Sequence, residues 1–459
     1  MADIAELRAA LAGIVGADHV TTSASELERH GHDESFHETA LPDLVVFPGT
    51  TEEVAEIARA CHARRVPMIP FGVGSSLEGH VNALAGGVSI DLGRMNRILE
   101  VRPEDLDATV QAGVTRRQLE ERLREDGVFF SVDPGADATM GGMAATGASG
   151  TTAVRYGTIR ENVLSLTVVT ADGAVMRTRS RARKSSAGYD LTHLMIGSEG
   201  TLGIITELTV RLFPLPEATA SAVVSFPSVP AAVEAATETI QMGLPVARIE
   251  LADALTMRAI AQRSGLPIAE RPTLFLDIHG SATGVLEHAE RLGEIVEAHG
   301  AEGFEWSTDP AECKRIWSAR HQVYEATRAL RPGCQGMPTD VCVPVSRLAE
   351  CIVETQADVE RSGVFAPIVG HVGDGNFHLT IILDRDDPAE VEAAEALHDR
   401  LVHRAIAMEG TCTGEHGVGS GKTKYLHVEH DAETMAMMRR IKDAMDPLGL
   451  MNPGKVLSA

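Results

Sequence analysis

The sequence predicts an α+β protein of two or three domains, and three observations support this prediction. The chain has 459 residues, which suffices for roughly three domains of about 150 residues each. Between residues 44 and 214, short β-rich runs alternate with helical stretches. Pro214 and Pro216 then mark a boundary, and the order strand, helix, strand, helix over 222–299 favours a second α+β domain with an antiparallel sheet.

Each element follows from a local pattern. Runs rich in Val, Ile and Leu that are bounded by turn residues predict strands at 44–47, 66–70, 88–90, 163–170, 203–213, 222–226 and 273–279. Apolar residues at helical spacing predict helices at 1–16, 51–64, 115–126, 230–242, 285–299, 388–409 and 431–446. The helix at 51–64 has the clearest start, because Thr50 or Thr51 can cap it and Glu53 follows. The tail at 450–457 is too short to fold alone and must pack on an earlier element.

The charge balance excludes several classes of function. The chain has 41 basic and 65 acidic residues, a net charge of −24, which disfavours nucleic-acid binding and docking on an anionic membrane.

No apolar run reaches the length of a transmembrane helix, and the N-terminus lacks the patterns of a secretory signal or a transit peptide. The six cysteines show no C-x-x-C spacing, which argues against a disulfide framework or a zinc-thiolate site. A cytoplasmic location is therefore expected.

Glycine is the outlying residue type, and its positions indicate ligand binding. Many of the 43 glycines cluster in the segments 70–79, 133–157 and 197–203. Glycine lets the backbone approach a ligand closely, and successive backbone N–H groups form a nest that suits a pyrophosphate. The first segment has neither the lysine of a phosphate loop nor the Rossmann spacing. One such segment could be a tight turn, but three in order favour loops that wrap a large flat ligand.

A second pattern, at 369–381, combines two histidines with a turn signal. Asp374-Gly375 is a strong signal for a two-residue hairpin turn. With these two residues at its centre, His371 stands opposite His378, and both imidazoles project from one face about 5 Å apart at Cβ. The other face is apolar and suits a core: Ile368, Val372, Phe377, Leu379 and Ile381.

The glycine-rich segment 410–421 offers a third ligand. It has the sequence GTCTGEHGVGSG, with Glu415 and His416 at its centre. Two histidines and one carboxylate make a reasonable site for Zn²⁺ or Mn²⁺. The sequence therefore predicts one divalent metal ion bound by His371, His378 and Glu415.

The three glycine-rich segments resemble the FAD-binding domain of the vanillyl-alcohol-oxidase/para-cresol-methylhydroxylase type. The resemblance implies a two-subdomain FAD domain at 1–216, with its core at about 40–216, and an α+β cap domain at 217–420 that carries the metal site. It also implies that the segment 421–459 returns to the FAD domain. FAD is expected to be non-covalent, because 70–79 lacks the histidine that flavinylated members usually carry there. The implied FAD-binding residues are Pro70, Gly72, Gly74, Ser75, Ser76, Gly79, Pro134, Gly135, Thr139, Gly142, Ala145, Ser149, Gly150, Tyr156, Gly157, Glu199, Gly200, Ile204, Ile205 and Asn452.

Four further motifs narrow the resemblance. HVGDGNFH, GTCTGEHGVGSGK, TDVCVPVSRL and LMNPGKVL are similar to the D-lactate dehydrogenase (cytochrome) branch of this family, to which the glycolate-oxidase flavin subunit and D-2-hydroxyglutarate dehydrogenase are related. The resemblance extends over about 40 to 459. It implies the same metal ligands, His371, His378 and Glu415, and a base at His416. The segment 317–320 resembles the family's W-x-x-R helix. The arginine of that helix binds the substrate carboxylate through two parallel hydrogen bonds from its planar guanidinium.

The implied reaction oxidises a D-2-hydroxy acid, with D-lactate to pyruvate as the leading candidate. Metal coordination lowers the pKa of the substrate hydroxyl, His416 takes its proton, C2 passes a hydride to flavin N5, and Arg320 binds the carboxylate. Relatives that act on hydroxyglutarate place a lysine where this chain has Pro338 or Thr339, and Thr380 replaces a family asparagine. Both departures favour a substrate with one carboxylate.

Other interpretations stay open at this stage. The chain could be a glycolate-oxidase flavin subunit that works only in a complex, a D-2-hydroxyglutarate-type dehydrogenase, or a metal-dependent hydrolase. The hydrolase interpretation leaves the three glycine-rich segments unexplained. The electron acceptor could be cytochrome c, a quinone, an electron-transfer flavoprotein or oxygen, and a homodimer is compatible with the sequence.

Overall fold

The structure is a computed structural model that describes residues 4–264 and 269–457, with the side chain of residue 264 excluded. The chain divides into two compact units. The first consists of Met1–Ser149, Gly157–Leu215 and Glu415–Ala459, and the second of Gly150–Tyr156 and Pro216–Gly414. The domain boundaries placed at 216/217 and 420/421 by the sequence stay a prediction.

The described strands are short, and all of them lie in four sheets. In chain order they are β1 Val20–Thr21, β2 Leu44–Val46, β3 Met68–Phe71, β4 Val88–Asp91, β5 Ile98–Arg102, β6 Asp107–Gln111, β7 Val128–Phe129, β8 Val163–Val169, β9 Val175–Arg177, β10 Ile204–Arg211, β11 Phe213–Pro214, β12 Ala218–Ser225, β13 Val246–Ala252, β14 Thr273–Gly280, β15 Glu302–Ser307, β16 Gln335–Pro338, β17 Val341–Cys342, β18 Ile368–His371 and β19 Asn376–Leu383.

The described α-helices range from one turn to five. They are α1 Ile4–Val15, α2 Ala24–Arg29, α3 Thr51–Arg64, α4 Arg116–Leu123, α5 Met140–Thr146, α6 Ala153–Tyr156, α7 Ile159–Asn162, α8 Leu191–Met195, α9 Val229–Gln241, α10 Ala254–Ser264, α11 Ala282–Ala298, α12 Pro310–His321, α13 Val323–Ala329, α14 Val345–Ser362, α15 Pro388–Ala407, α16 Leu426–Glu429 and α17 Ala432–Met445. Within residues 4–264 and 269–457, no helix combines the length and the apolar character needed to cross a membrane.

The first unit holds two main sheets. One has the order β1-β2-β4-β3, in which β2, β4 and β3 run parallel and β1 pairs antiparallel with β2. The other is antiparallel, with the order β5-β6-β10-β8-β9. Buried aliphatic residues of both sheets and of α1, α3 and α4 form one hydrophobic cluster. This arrangement provides the two subdomains that the sequence predicted.

The C-terminal tail packs on β3 of the first unit. The Met68 N–H donates to the Leu450 carbonyl at 2.8 Å, and the Asn452 N–H donates to the Met68 carbonyl at 2.9 Å. Met68 and Met451 accordingly pair as a parallel bridge. The short tail thereby brings Asn452 beside the glycine-rich segment that follows β3.

The second unit is built on one large antiparallel sheet. Its strand order is β15-β12-β14-β13-β18-β19-β16, and β17 also pairs with β19. Ala252, Phe275, Trp317 and Val369 belong to a buried cluster that joins this sheet to α12. The predicted α+β fold with an antiparallel second sheet is therefore confirmed.

Helix α3 shows why some elements could be predicted to the residue. The Thr50 hydroxyl accepts the Glu53 N–H at the start of the helix, and Arg65 in the left-handed conformation ends it. Both signals are local in the sequence, so the predicted helix at 51–64 has the observed bounds.

Candidate active site

Strands β18 and β19 carry the two histidines that the sequence identified as metal ligands. The register pairs His371 with Asn376 and Val369 with His378. The turn therefore spans four residues instead of two, and the prediction that His371 stands directly opposite His378 is wrong.

The turn itself explains the different register. An Asp-Gly turn of two residues needs a positive φ at both positions. Gly375 has a φ of 82°, whereas Asp374 keeps a negative φ. The Asp374 N–H instead donates to the His371 carbonyl at 3.0 Å. This hydrogen bond closes a wider turn that begins at His371.

The two imidazoles still face the same side of the sheet. The shift moves the pairing by two residues, and side chains alternate with a period of two, so the ring centroids lie 5.4 Å apart. The His371 Nδ1–H donates to Glu250 Oε1 at 2.7 Å, and the His378 Nδ1–H donates to the Thr339 carbonyl at 2.9 Å. These partners fix each ring so that Nε2 is the nitrogen suited to a metal ion.

Glu250 on β13 links His371 to the predicted substrate arginine. Its fully buried side chain accepts from Arg320 Nη2 at 2.5 Å through one oxygen and from His371 through the other. Arg320 is itself buried, and among the described residues its Nε finds no hydrogen-bond partner. One edge of the guanidinium is therefore held by Glu250, while the Nε donor is still available for a carboxylate.

Sequence reasoning missed Glu250. Its only signal is a single acidic residue in the otherwise strand-like run VARIELA at 246–252. The residue lies 121 positions from His371, so the sequence could mark it as unusual without identifying its partners.

A polar network holds Trp317, which precedes Arg320 by one helical turn on α12. The Trp317 Nε1–H donates to Ser221 Oγ at 3.3 Å, and the Ser221 hydroxyl donates to Asp277 Oδ1 at 2.8 Å. The Arg248 guanidinium lies 4.6 Å from the Trp317 ring centroid and 3.7 Å from Asp277. Trp317 and Arg320 both belong to α12, so this network sets the position of the helix that carries the arginine.

Asp340 in the TDVCVPV motif fixes the end of the segment that leads to Glu415. One of its oxygens accepts from Asn376 Nδ2 at 2.7 Å, and the other accepts from the Gly414 N–H at 2.8 Å. A Cβ on Gly414 would lie 2.2 Å from the Asn376 amide nitrogen, so only glycine fits there. Glu415 follows Gly414 directly in the chain. Its role as third metal ligand, and the role of His416 as base, stay predictions.

In the first unit, the three glycine-rich segments converge beyond β3. A Cβ on Gly72 would lie 2.5 Å from Thr139 Oγ1, and a Cβ on Gly200 would lie 2.9 Å from Pro70. The Glu199 N–H also donates to the Ala145 carbonyl at 2.8 Å. Glycine is therefore needed where each segment approaches the next.

Two side chains in this region suit a bound cofactor. Ser198 Oγ and Asn452 Oδ1 are buried and lack a hydrogen-bond partner within the described part of the chain. Buried polar atoms are normally satisfied, so these two atoms and the glycine-lined backbone fit a polar ligand such as FAD. Most of the predicted FAD-binding residues lie in this unit. Gly150 and Tyr156 belong to the second unit, where the Tyr156 hydroxyl hydrogen-bonds His279 Nδ1 at 2.8 Å.

The segment 415–421 packs on the first glycine-rich loop. The N–H groups of Ser420 and Gly421 both donate to the Glu78 carbonyl, at 2.9 and 3.2 Å. A Cβ on Gly419 would lie 2.0 Å from that carbonyl oxygen. Lys422 is fully buried and lies 3.1 Å from the Glu78 carboxylate. The glycines of this segment, read from the sequence as support for a metal site, thus serve its close packing in the first unit.

The fold and the three converging glycine-rich segments, 70–79, 133–157 and 197–203, are typical of an FAD-linked oxidoreductase. Comparison with family models agrees, because "FAD binding domain" matches residues 42–179 and "FAD linked oxidases, C-terminal domain" matches residues 215–456. The chain belongs to the FAD-linked oxidase family.

Named relatives match almost the whole chain. A probable mitochondrial D-lactate dehydrogenase from Danio rerio is 50% identical over 97% of this chain and 90% of its own length. The mitochondrial D-lactate dehydrogenase [cytochrome] of Arabidopsis thaliana is 44% identical over 96% and 78%. The glycolate oxidase subunit GlcD of Bacillus subtilis is 32% identical over 94% and 92%. The resemblance to this branch is therefore confirmed.

Solved structures show the same fold at low sequence identity. p-Cresol methylhydroxylase superposes with a TM-score of 0.82 at 18% identity, covering 99% of this chain and 97% of its own. The 4-ethylphenol oxidase from Gulosibacter chungangensis gives 0.81 at 19%, with the same coverage. The predicted vanillyl-alcohol-oxidase/para-cresol-methylhydroxylase fold is confirmed.

The expected cytoplasmic location is wrong. The relatives from Danio rerio and Arabidopsis thaliana are both named mitochondrial, as are those from Kluyveromyces lactis and Saccharomyces cerevisiae. The lack of a recognisable targeting pattern does not define a compartment.

Proposed function

We propose that this protein oxidises D-2-hydroxy acids, with D-lactate to pyruvate as the principal reaction, and uses FAD together with one divalent metal ion. The observation that supports this best is the linkage of His371 to the buried Arg320 through Glu250, with the ring of His378 5.4 Å from that of His371. Such an arrangement suits a substrate that presents a hydroxyl and a carboxylate on adjacent carbons.

Each side chain has a defined task in the proposed reaction. Arg320 binds the substrate carboxylate through the part of its guanidinium that Glu250 leaves available. His416 accepts the hydroxyl proton. FAD, when bound in the first unit, supplies a two-electron acceptor for the hydride that leaves C2. The substrate loses one proton to His416 and one hydride to the flavin, which balances this half-reaction; the external electron acceptor completes the turnover.

His371, His378 and Glu415 would hold the metal ion. A divalent ion at such a site supplies a Lewis acid that lowers the pKa of a coordinated hydroxyl. The Nδ1 partners of both histidines orient Nε2 for this purpose. Glu415 directly follows Gly414 in the chain. The Gly414 N–H donates to Asp340 at 2.8 Å, so Asp340 fixes the backbone just before Glu415.

The uncharged wall beside His378 favours a substrate with a single carboxylate. Pro338 on β16 is the register partner of Thr380 on β19, and Thr380 stands two residues from His378 on the same face. Thr339 is also uncharged, and its hydroxyl accepts the Leu379 N–H at 2.9 Å. Neither position offers a cation for a second carboxylate.

The names of the relatives guide the choice of acceptor and compartment. Several are named D-lactate dehydrogenase [cytochrome], mitochondrial. We infer a cytochrome as electron acceptor and a mitochondrial location for this chain. The net charge of −24 is compatible with docking of a basic cytochrome.

A substrate screen with an artificial dye as acceptor tests the proposal. The FAD-loaded chain should oxidise D-lactate faster than glycolate or D-2-hydroxyglutarate and should leave L-lactate unchanged. Treatment with EDTA should abolish turnover, and Mn²⁺ or Zn²⁺ should restore it. Preference for D-2-hydroxyglutarate would contradict the assigned substrate, and lack of turnover by the isolated chain would favour a complex-dependent subunit.

A further inference from the structure

His80, which follows the first glycine-rich loop, lies buried between two carboxylates of the first unit. Its Nε2 is 3.3 Å from Glu199 Oε2, and its Nδ1 is 3.8 Å from Asp33 Oδ2. The exposed fraction of all three residues is 5% or less. The backbone N–H of His80 also donates to Asp33 at 2.9 Å. No role for His80 follows from the metal site or from the glycine-rich segments themselves.

Glu199 connects this ion pair to the segment that carries the proposed base. Its two carboxylate oxygens accept the N–H groups of Val418 and Gly419, at 2.7 and 2.8 Å. A Cβ on Gly417 would lie 2.7 Å from His80 Nε2 and 2.8 Å from Glu199 Oε1. The backbone directly after His416 is therefore packed against the His80–Glu199 pair.

Electrostatics favour a positive charge on His80, in addition to that of the buried Lys455, which also interacts with Asp33 and Glu199. The buried carboxylates of Asp33 and Glu199 face the two nitrogens of the His80 ring, and each is costly to bury without a counter-charge. Burial alone would lower the pKa of His80, but Glu199 and Asp33 outweigh it and raise the pKa to about 10. Burial likewise favours the neutral form of Asp33, yet hydrogen bonding and charge from His80 bring its pKa down to about 2. His80 is therefore an imidazolium at neutral pH.

We propose that His80 is a positioning residue whose positive charge holds the Glu199 carboxylate against the Val418 and Gly419 amides and so fixes the segment 416–419. Asn452 supports the same arrangement, because its Nδ2 donates to the carbonyls of both His80 and Glu199, at 3.0 and 2.7 Å. The consequence for catalysis rests on the proposed function, in which His416 is the base. A misplacement of about 1 Å can lower a rate by about 100-fold.

We call the arrangement in which His80 and Glu199 hold the segment 416–419 the clamp. Hydrogen exchange tests the clamp independently of activity. The change is His80→Gln, which removes the charge and keeps a side chain of similar size. Amide exchange in a peptide covering 416–421 should rise at least about tenfold relative to the wild-type chain. His80→Lys, which keeps a positive charge, should recover part of the protection. His427→Gln is the matched control, since His427 is an exposed histidine of the same C-terminal region.

Steady-state kinetics test the catalytic consequence. The kcat of His80→Gln for D-lactate should fall about 10- to 100-fold while KM changes little, because the base is displaced and the substrate arginine is not. Unchanged exchange in 416–421 would overturn the clamp, as would equal exchange in the Gln and Lys variants. If the wild-type chain fails to oxidise D-lactate but exchange still rises in His80→Gln, the clamp stands and the proposed function fails.

A second variant keeps the test decisive if His80→Gln does not fold. Glu199→Gln leaves one oxygen to accept an amide where the carboxylate had two. Exchange at Val418 and Gly419 should again rise, and an unchanged rate there would overturn the proposal.

Discussion

Replacement of Glu250 by glutamine tests the linkage at the centre of the site. The structure places its carboxylate, with no exposed surface, between Arg320 Nη2 at 2.5 Å and His371 Nδ1 at 2.7 Å. Removing one partner of a buried ion pair costs about 3 to 5 kcal/mol, because Arg320 is left buried without a counter-charge. The free energy of unfolding should therefore fall by that amount.

The same substitution should weaken metal binding. Loss of the partner that orients a ligating histidine lowers metal affinity by about 10- to 100-fold, or roughly 1.4 to 2.7 kcal/mol. Urea denaturation measures the stability, and titration calorimetry with Mn²⁺ measures the affinity.

Glu238→Gln provides the control for both measurements. Glu238 forms a carboxylate–imidazole pair of the same 2.7 Å length with His299 on the partly exposed surface of the second unit. Its loss should change the stability by no more than about 1 kcal/mol and should leave metal affinity unaltered. If Glu250→Gln behaves like this control in both assays, the inferred linkage is refuted.

Three further predictions concern the base, the arginine and the buried histidine. His416→Ala should retain FAD, seen by its absorbance, while turnover of D-lactate is abolished; normal turnover would remove the base assignment. Arg320→Lys should raise KM at least about tenfold, since a point charge cannot replace the planar fork, and an unchanged KM would contradict carboxylate binding. The pKa of His80 is raised from 6.5 to about 10, so its contribution to stability is complete below pH 6.5 and is lost as the pH rises through 10. The stability difference between the wild type and His80→Gln should accordingly shrink between pH 7 and pH 10, as measured by urea denaturation, and a difference that grows over this range would contradict the assigned ion pairs.

The sequence was sufficient where the signals are local. The N-cap at Thr50 and the apolar period predicted helix α3 with its observed bounds, Thr51–Arg64. The clustered glycines indicated the three segments that converge beyond β3. Family motifs then gave the fold class and the FAD-linked chemistry. The strands β5 and β6 were missed because their mixed polar sequence does not alternate cleanly.

Register and long-range partners could not be obtained in the same way. The Asp-Gly signal favoured a two-residue turn, but the hydrogen bond from Asp374 N–H to the His371 carbonyl selected a four-residue one. Glu250 and Glu199 each act on residues far away in the chain, with Glu199 lying 219 positions from Val418. A single sequence does not reveal contacts over such separations. Glu250 was missed altogether, and Glu199 was identified only as an FAD-binding residue, without its contacts to Val418 and Gly419.

Reduction of the bound flavin by substrate is the most direct test of the central claim. The FAD-loaded chain, kept anaerobic with Mn²⁺, is mixed with D-lactate or L-lactate, and the flavin absorbance near 450 nm is followed. D-lactate should bleach the flavin rapidly, L-lactate should not, and EDTA treatment should prevent bleaching by D-lactate. Equal bleaching by both enantiomers, or rapid bleaching by D-lactate in the metal-free protein, would contradict a metal-dependent D-2-hydroxy-acid dehydrogenase.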